Sequence, residues 1–131
     1  MALNESSTKK PYVLGRLFAL LERTQEGVNP GINATITDKY FDSACTTPRL
    51  AFPTLLRLSR HHIAKDEKWG KRNDKLIGSV IDLLDADDDP YPAHLTPEEQ
   101  GLFILGYYHQ RQARFQKRGS VETMNTNEGE N

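Results

Sequence analysis

Apolar residues recur early in the chain at the three- and four-residue spacing of an amphipathic helix. The pattern begins at Pro11, which suits a first helical turn, and ends near Gly27, where the sequence GVNPG is typical of a turn. We therefore predict a first helix over this stretch. Its broad apolar face consists of Val13, Leu14, Leu17, Phe18, Leu20 and Leu21.

A second, shorter helix is predicted to begin near Thr35. Asp38 stands three residues further on, where it can complete a capping box with Thr35. The helical period then turns three residues toward the core, namely Tyr40, Phe41 and Ala44.

A third helix is predicted to begin at Thr47 and Pro48, a capping residue followed by a proline in the first turn. Pro53 lies early in this helix, and the sequence is compatible with either a kink or a restart there. The predicted inner stripe is Leu55, Leu58 and His62, flanked by Leu56 and Ile63. After EKWGKRN interrupts the pattern, a fourth helix carries Leu76, Ile77, Val80, Ile81, Leu83 and Leu84.

The last helix has the clearest start, because Thr96, Pro97 and Glu99 supply a capping hydroxyl, an N1 proline and a returning carboxylate. It is predicted to continue to about Arg118, since the remaining GSVETMNTNEGEN has few apolar residues to pack. The fold class is all-α, a single compact bundle of about five helices. We divide the chain into a flexible N-terminus (1–10), the bundle (11–118) and a disordered tail (119–131).

The stretch GLFILGYYHQR (101–111) combines a buried pattern with a polar end. A glycine inside a helix costs about 1 kcal/mol relative to alanine, so Gly101 and Gly106 indicate close approach by a neighbouring helix. Tyr107 precedes basic residues at helical spacing, and its ring could stack on a nucleic-acid base. Burial with a hydrogen-bonded hydroxyl is the alternative for at least one of Tyr107 and Tyr108. The core residues expected here are Leu102, Phe103, Leu105 and Gly106.

Composition narrows the class of protein. The 131 residues are 37% hydrophobic and 27% charged, with a net charge of −1. A single cysteine, Cys45, excludes an internal disulfide and disfavours a zinc site. No apolar stretch is long enough to cross a bilayer and the N-terminus lacks a signal-peptide pattern, so we expect a cytoplasmic protein without a membrane partner.

Basic residues are concentrated on the third helix. Residues 49–75 hold eight Lys or Arg and three Asp or Glu. Five positions project to one side of the helix and two extend the row past its end, which is the arrangement that phosphate binding needs. An ordinary solvated basic surface is the alternative. The row consists of Arg57, Arg60, His61, Lys65, Lys68, Lys71 and Arg72.

A second basic stretch follows on the last helix, and there is no acidic residue between positions 100 and 118. Two such stretches in a chain of net charge −1 strengthen the prediction of a nucleic-acid interface. The residues of this second stretch are Arg111, Arg114, Lys117 and Arg118.

The balancing acids lie in residues 82–99, which hold seven Asp or Glu and no Lys or Arg. A calcium loop starting at Asp85 is excluded, because Pro90 and Thr96 replace its glycine and its glutamate. A solvated loop and a carboxylate cluster for metal-dependent nuclease chemistry (Asp85, Asp87 and Asp88) stay open. We favour a third possibility, contact with the basic surface of a neighbouring subunit.

The histidines do not form a site. His61 and His62 are adjacent and point to different sides of a helix, so they cannot chelate one metal together. His62 is expected to be a hydrogen-bonded core residue, while His94 and His109 are isolated in the sequence. No Ser or Cys stands in a recognisable nucleophile motif, so we expect no catalytic residue, metal or cofactor.

Five blocks of the sequence resemble, in the same order, the C-terminal region of the large subunit of the type I-C CRISPR surveillance complex, Cascade. LGYYHQRQ and NATITDKYF are the most specific motifs among them. The blocks are GRLFALLE (15–22), NPGINATITDKYFDSA (29–44), TPRLAFPTLLRLSRHH (47–62), KLIG (75–78) and EEQGLFILGYYHQRQ (98–112).

The large subunit is several times longer, so the resemblance implies the separate small subunit that such systems translate from within the large-subunit gene. It implies a non-catalytic helical protein beside the large and backbone subunits, the crRNA, the target DNA and further copies of itself. Its implied role is to hold the guide–target heteroduplex and the displaced strand of the R-loop. A purely structural adapter that bridges subunits without touching nucleic acid is the competing hypothesis.

Overall fold

The computed structural model describes the backbone of residues 3–28, 36–85 and 89–128, and the side chains of residues 3–26, 36–85 and 89–113. Within these ranges the chain forms five α-helices and no β-strand, which confirms the predicted all-helical bundle. The helices are α1 (Lys10–Val28), α2 (Ile36–Thr46), α3 (Pro48–Lys65), α4 (Gly70–Leu84) and α5 (Pro97–Glu128).

Helix α1 occupies the centre of the bundle. Every residue from Pro11 to Glu22 is buried, as expected for a helix with apolar residues on most of its circumference. The helix contacts all four of the others, and most extensively α5. The six residues predicted for its apolar face have at most 3% of their surface exposed. The other helices therefore have their positions set by how they pack on α1.

Two glycines bring α1 and α5 into backbone contact. A Cβ atom at Gly15 would lie 2.0 Å from the carbonyl oxygen of Phe103, and one at Gly106 would lie 2.1 Å from the carbonyl oxygen of Tyr12. The close approach predicted at Gly106 is confirmed. The same prediction for Gly101 is wrong, because that residue is exposed and a Cβ there would have no atom within 4 Å.

An aromatic cluster fills the junction of α1, α2 and α5. Phe41 of α2 makes edge contacts with Phe18, Phe103 and Tyr107, with ring centroids 5.1 to 5.7 Å apart. Of the residues predicted to face inward on α2, Ala44 is buried while Tyr40 and Phe41 are half-buried against the core. Thr35, the predicted cap of this helix, lies outside the described residues.

Helix α3 turns a different line of residues inward from the one predicted. Leu55 is buried as expected, but Leu58 and His62 are only half-buried. The prediction was wrong for these two because α3 contacts both α1 and α2, and the line facing them is rotated toward Ser59. Pro53 is exposed within a continuous helix, so the helix does not restart there. The buried residues are Pro48, Ala51, Phe52, Leu55 and Ser59.

The segment that leads into α5 packs along the start of α3. Tyr91 stacks on Phe52 with ring centroids 5.5 Å apart, and the backbone N–H of Arg49 donates to the carbonyl of Pro92 at 3.1 Å. The predicted capping box then opens α5. The backbone N–H of Thr96 donates to the Glu99 carboxylate at 2.8 Å, and the backbone N–H of Glu99 donates to the Thr96 hydroxyl at 3.2 Å.

Helix α5 continues to Glu128, although the sequence predicted an end near Arg118 and disorder over 119–131. Gly119 does not interrupt it, because a glycine costs a helix only about 1 kcal/mol and no proline follows. At the other end of the chain, part of the predicted flexible segment is bonded to the bundle, since the backbone N–H of Asn4 donates to the Tyr12 hydroxyl at 3.0 Å. The three-part division of the chain stays a prediction.

Candidate nucleic-acid interface

The first predicted basic row lies along the outer side of α3, in the turn that follows it and in the first turn of α4. Lys68 is in that turn and not, as predicted, on α3 itself. The buried line of α3 faces α1 and α2, so its opposite side is left to solvent. All seven predicted residues of this row are exposed. We call them the basic face, which consists of Arg57, Arg60, His61, Lys65, Lys68, Lys71 and Arg72.

Arg60 is the member of the basic face that has an acidic partner. Its Nη1 atom lies 3.2 Å from Oδ1 of Asp74 on α4, and both side chains are largely exposed. Exposed ion pairs contribute about 0–1 kcal/mol, so this pair links α3 to α4 weakly. Within the described part of the chain, the other Lys and Arg residues of the basic face have no ion pair. Their charges are available to an external anion.

Asp66 fixes the corner between α3 and α4. Its Oδ1 atom accepts the backbone N–H groups of Lys68 at 3.2 Å and Trp69 at 2.9 Å, and its carbonyl accepts the N–H of Gly70 at 2.9 Å. A Cβ atom at Gly70 would lie 2.4 Å from the carbonyl oxygen of Ile63, so the two helices meet closely here. The interruption predicted over EKWGKRN is therefore a short, bonded turn, and α4 already begins at Gly70.

Sequence reasoning missed Trp69, which lies at this corner. Its side chain is 42% exposed, although tryptophan is a residue that usually buries most of its surface. The Lys68 Nζ atom lies 5.3 Å from the centre of its ring, and the Arg72 guanidinium carbon lies 5.9 Å away. The signal in the sequence was an aromatic residue among cations, KWGKR, which the interruption of the helical pattern obscured.

The second basic stretch, on α5, is arranged differently. Arg111 is half-buried, its Nε atom lies 3.5 Å from Oε1 of Glu22, and its guanidinium carbon lies 5.6 Å from the centre of the Tyr107 ring. The side chains of Arg114, Lys117 and Arg118 lie outside the described residues. Among the described residues α5 contacts α1 and α2 but neither α3 nor α4, so the two basic stretches are on helices that do not touch.

A buried carboxylate, Glu22, explains the position of Arg111. Glu22 accepts the hydroxyl proton of Tyr107 at 2.8 Å and is also hydrogen-bonded by the Thr37 hydroxyl. Burial, together with the negative charge of Glu22 and the hydrogen bond to it, raises the pKa of Tyr107 to about 12. The Arg111 guanidinium supplies the opposite charge beside this group.

The predicted stacking of Tyr107 on a base is therefore wrong. Only 2% of its surface is exposed, because its hydroxyl is drawn into the core by Glu22. The alternative, a buried tyrosine with a bonded hydroxyl, is correct for Tyr107, whereas Tyr108 is exposed.

The polar end of GYYHQR also binds α1. The His109 Nδ1 atom and the Tyr12 hydroxyl form a hydrogen bond of 2.9 Å, and the Arg16 Nε–H donates to the Gln110 side chain at 2.9 Å. Arg16 is itself buried, and burial lowers its pKa while the charge of Glu5 partly offsets this effect. Most of this motif therefore holds α5 against the central helix.

Among the residues with described side chains, the acidic segment and the histidines form no centre. Asp82 and Asp85 are exposed, Asp89 pairs with Arg49 at 3.0 Å, and Asp87 and Asp88 lie outside the described residues. In the part of the chain with described side chains, no three His, Cys, Asp or Glu residues are grouped to hold a metal ion.

The hydrogen bond expected of His62 is not found among the described residues, where its buried Nδ1 atom has no partner. The pKa of His62 is lowered by burial and by the nearby positive charges of Lys65 and His61.

Residues 1–115 of the chain match the protein family described as CRISPR-associated protein (Cas_Csd1). The chain belongs to this family. No curated protein is significantly similar to it. The part that matches Cas_Csd1 includes the whole basic face and Trp69. It also includes Glu22 and the three residues that contact its carboxylate, Thr37, Tyr107 and Arg111. In this Cas_Csd1 chain, none of the helices within the described ranges has the length and hydropathy needed to cross a membrane.

Proposed function

We propose that the chain is a small-subunit accessory of a type I-C Cascade complex and that it binds nucleic acid through the basic face. The observation that carries this proposal is a row of exposed Lys and Arg residues, most of which have no acidic partner in the described part of the chain. Membership in Cas_Csd1, a family of CRISPR-associated proteins, supports this setting.

The proposed role is to stabilise the R-loop without reading its sequence. Exchanging a DNA duplex for a guide–target heteroduplex is nearly balanced in free energy, so contacts to the phosphate backbone can decide the outcome. Cations displayed in a row neutralise successive phosphates and release condensed counterions. Such a surface holds a displaced strand or the heteroduplex backbone equally well for every target.

Arg111 contributes less to this proposal than its place in the sequence suggested. Its guanidinium is shared with Glu22 and the Tyr107 hydroxyl, so it is partly neutralised before any ligand arrives. The proposal retains Arg114, Lys117 and Arg118 as an extension along α5. In this proposal the basic face makes the main contribution to nucleic-acid binding.

The remaining parts of the proposal concern assembly. The chain is proposed to act without catalysis, beside the large and backbone subunits, the crRNA and further copies of itself in the cytoplasm. The exposed carboxylates of Asp82 and Asp85 are proposed to face a basic surface of a neighbouring subunit. Self-association that weakens as salt is added is the expected behaviour.

A structural adapter is the second candidate, because α5 exposes a group of apolar side chains. Ile104, Leu105 and Tyr108 are all exposed although they are large and hydrophobic, so the prediction that Leu105 belongs to the core is wrong. Exposed apolar groups of this kind occur where proteins bind each other. Under this alternative the charges serve only contacts between subunits, and DNA affinity is absent or insensitive to salt.

The decisive experiment compares two charge reversals that change the net charge equally. Arg57→Glu with Lys65→Glu alters the basic face, and both residues lack an ion pair in the described part of the chain. Lys9→Glu with Lys39→Glu is the control, since these exposed residues lie before α1 and on α2. Affinity for a single-stranded oligonucleotide is measured by fluorescence anisotropy at several salt concentrations.

A plot of log affinity against log salt has a negative slope, to which each contact with a single strand contributes about 0.7. Loss of two phosphate contacts should therefore make this slope shallower by about 1.4. The control should keep the wild-type slope. In the assembled complex, the first variant should slow R-loop formation on every target tested. If both variants bind DNA like the wild type, the basic face is not the interface and the adapter hypothesis is favoured.

A further inference from the structure

We propose that Trp69 is a stacking platform for an unpaired nucleobase, and that Lys68 and Arg72 contact the phosphates on either side of that base. This inference rests on the proposed function and adds to it, since it assigns to the basic face a preference for single-stranded over double-stranded nucleic acid.

The exposure of Trp69 is the first observation. A tryptophan buries 150–250 Å² when it packs, and here the indole is left 42% exposed at a helix corner. The corner joins the two helices that carry the basic face, so the ring lies among its cations. Aromatic side chains within a basic surface are the usual device for holding single strands, because every base has a face that can stack.

The second observation is that the backbone which carries the ring is held in place. The Asp66 carboxylate accepts the N–H groups of both Lys68 and Trp69, and the Asp66 carbonyl accepts the N–H of Gly70. The contact between Gly70 and the Ile63 carbonyl closes the corner from the other side. A base that stacks here therefore does not have to order the loop first, which reduces the cost of binding.

The third observation concerns the present partners of the ring. Lys68 and Arg72 lie within 5.3 and 5.9 Å of its centre, at distances where a cation is attracted to an aromatic face. At an exposed site this attraction is weaker than the stacking of a base on an aromatic ring. An incoming base can therefore replace a cation over the ring, and the released cation stays close enough to bind the adjacent phosphate.

The charge around Trp69 decides which class of partner fits. Lys65, Lys68, Lys71 and Arg72 outnumber the two acids of the corner, the exposed Glu67 and the half-buried Asp66, so a polyanion is favoured. In a duplex the faces of the bases are covered by their neighbours, and only an unpaired strand can offer one to the indole. A single strand is thus the ligand that uses both the cations and the ring.

Trp69 is the one tryptophan of the chain, so its fluorescence reports on this site directly. The full-length chain is titrated at low salt with an oligothymidylate, and separately with an abasic strand of equal length that has the same phosphates and no bases. Free tryptophan amide corrects for light absorbed by the DNA. The oligothymidylate should quench Trp69 strongly, and the abasic strand should bind with little quenching.

Two variants separate stacking from folding. Binding by the variants is measured by fluorescence anisotropy of labelled strands. Trp69→Ala should weaken binding of the oligothymidylate about five-fold or more and leave binding of the abasic strand unchanged, because only the stacking contact is lost. Trp69→Phe should restore most of the affinity, because phenylalanine keeps an aromatic face. Circular dichroism checks that both variants retain the helical fold.

The outcomes distinguish this inference from the proposed function. Equal binding of both strands, unaffected by Trp69→Ala, would overturn the stacking platform and leave phosphate binding intact. If neither strand binds while polyglutamate quenches Trp69, both proposals fail and the corner is a site for an acidic protein. Quenching of Trp69 by the oligothymidylate but not by the abasic strand, together with weaker oligothymidylate binding by Trp69→Ala, would support the platform.

Discussion

Replacing Gly106 or Gly15 by alanine tests the contact on which the bundle depends. The methyl carbon would lie 2.1 Å from the Tyr12 carbonyl oxygen in the first case and 2.0 Å from the Phe103 carbonyl oxygen in the second. Both neighbours are backbone atoms of helices, so they cannot rotate away as a side chain would. The helices α1 and α5 must separate by about 1.3 Å to bring these atoms to ordinary contact at 3.4 Å.

A separation of that size is costly because it affects the whole interface between α1 and α5. A radial gap of about 0.5–1 Å forfeits roughly a quarter to a half of each dispersion contact. Overpacking a core typically costs about 1–3 kcal/mol, and the rigid partners here favour the upper end. A loss of about 3 kcal/mol is a large part of the roughly 5–15 kcal/mol by which a domain is stable.

Two other glycines of the same chain provide matched controls. Gly101 in α5 and Gly78 in α4 are exposed, and a Cβ at either would have no atom within 4 Å. Alanine at these helix positions should stabilise the protein by up to about 1 kcal/mol. Urea unfolding followed by circular dichroism measures all four variants. The reasoning is refuted if Gly106→Ala and Gly15→Ala are as stable as Gly101→Ala.

Two further predictions each concern a single hydrogen bond. Tyr107→Phe leaves the buried Glu22 without its 2.8 Å donor and should cost about 1–3 kcal/mol at neutral pH. The pKa of Tyr107 is about 12 in the folded protein and near 10 when unfolded. The extra stability of the wild type over Tyr107→Phe is therefore fully present below about pH 10. It should largely disappear as pH rises to about 12, so urea unfolding at pH 9 and 11.5 should show the wild type approaching the variant. Parallel curves over that range would contradict the assignment. Thr96→Ala should lose about 1 kcal/mol by removing the cap of α5, whereas Thr96→Ser should lose little, as thermal melts can show.

The sequence predicted the helices well because their signals are local. Apolar residues at helical spacing define α1, and the capping box of α5 joins Thr96 to Glu99, which is only three residues away. Interactions of this kind are the same in a peptide and in a folded protein. The start of α4 was less visible, because the bonds of Asp66 that form the corner use a carboxylate that the hydrophobic pattern ignores.

The side chains that decide the candidate site depend on partners far away in the chain. Tyr107 and Glu22 are 85 residues apart, and no spacing rule indicates that they meet. For the same reason Gly101 and Gly106 looked equivalent in the sequence, although only Gly106 faces α1. The face of a helix that is buried follows from how neighbouring helices pack, and that arrangement is a property of the whole fold.

Packing also separates the two groups of cations that the sequence analysis assigned to one nucleic-acid interface. Arg57 and Lys65 lie on the outer side of α3, where the described chain offers them no acid, while α5 packs on α1 and brings Arg111 to the buried Glu22. Arg111→Ala should therefore act on folding. Removing one partner from a buried acid costs about 1–3 kcal/mol, and little DNA affinity should be lost because this guanidinium is already engaged.

Arg57→Ala is the opposite case. It should leave stability within about 0.5 kcal/mol, since the side chain is exposed and unpaired in the described part of the chain, and it should lower the salt dependence of DNA binding. Unfolding free energy and the salt slope are measured for both variants. Arg111→Ala should lower the unfolding free energy and keep the slope, whereas Arg57→Ala should keep the unfolding free energy and make the slope shallower. If Arg111→Ala instead lowers the salt slope as much as Arg57→Ala and spares stability, then Glu22 does not hold this guanidinium. The nucleic-acid surface would then have to extend across α5 as well as α3.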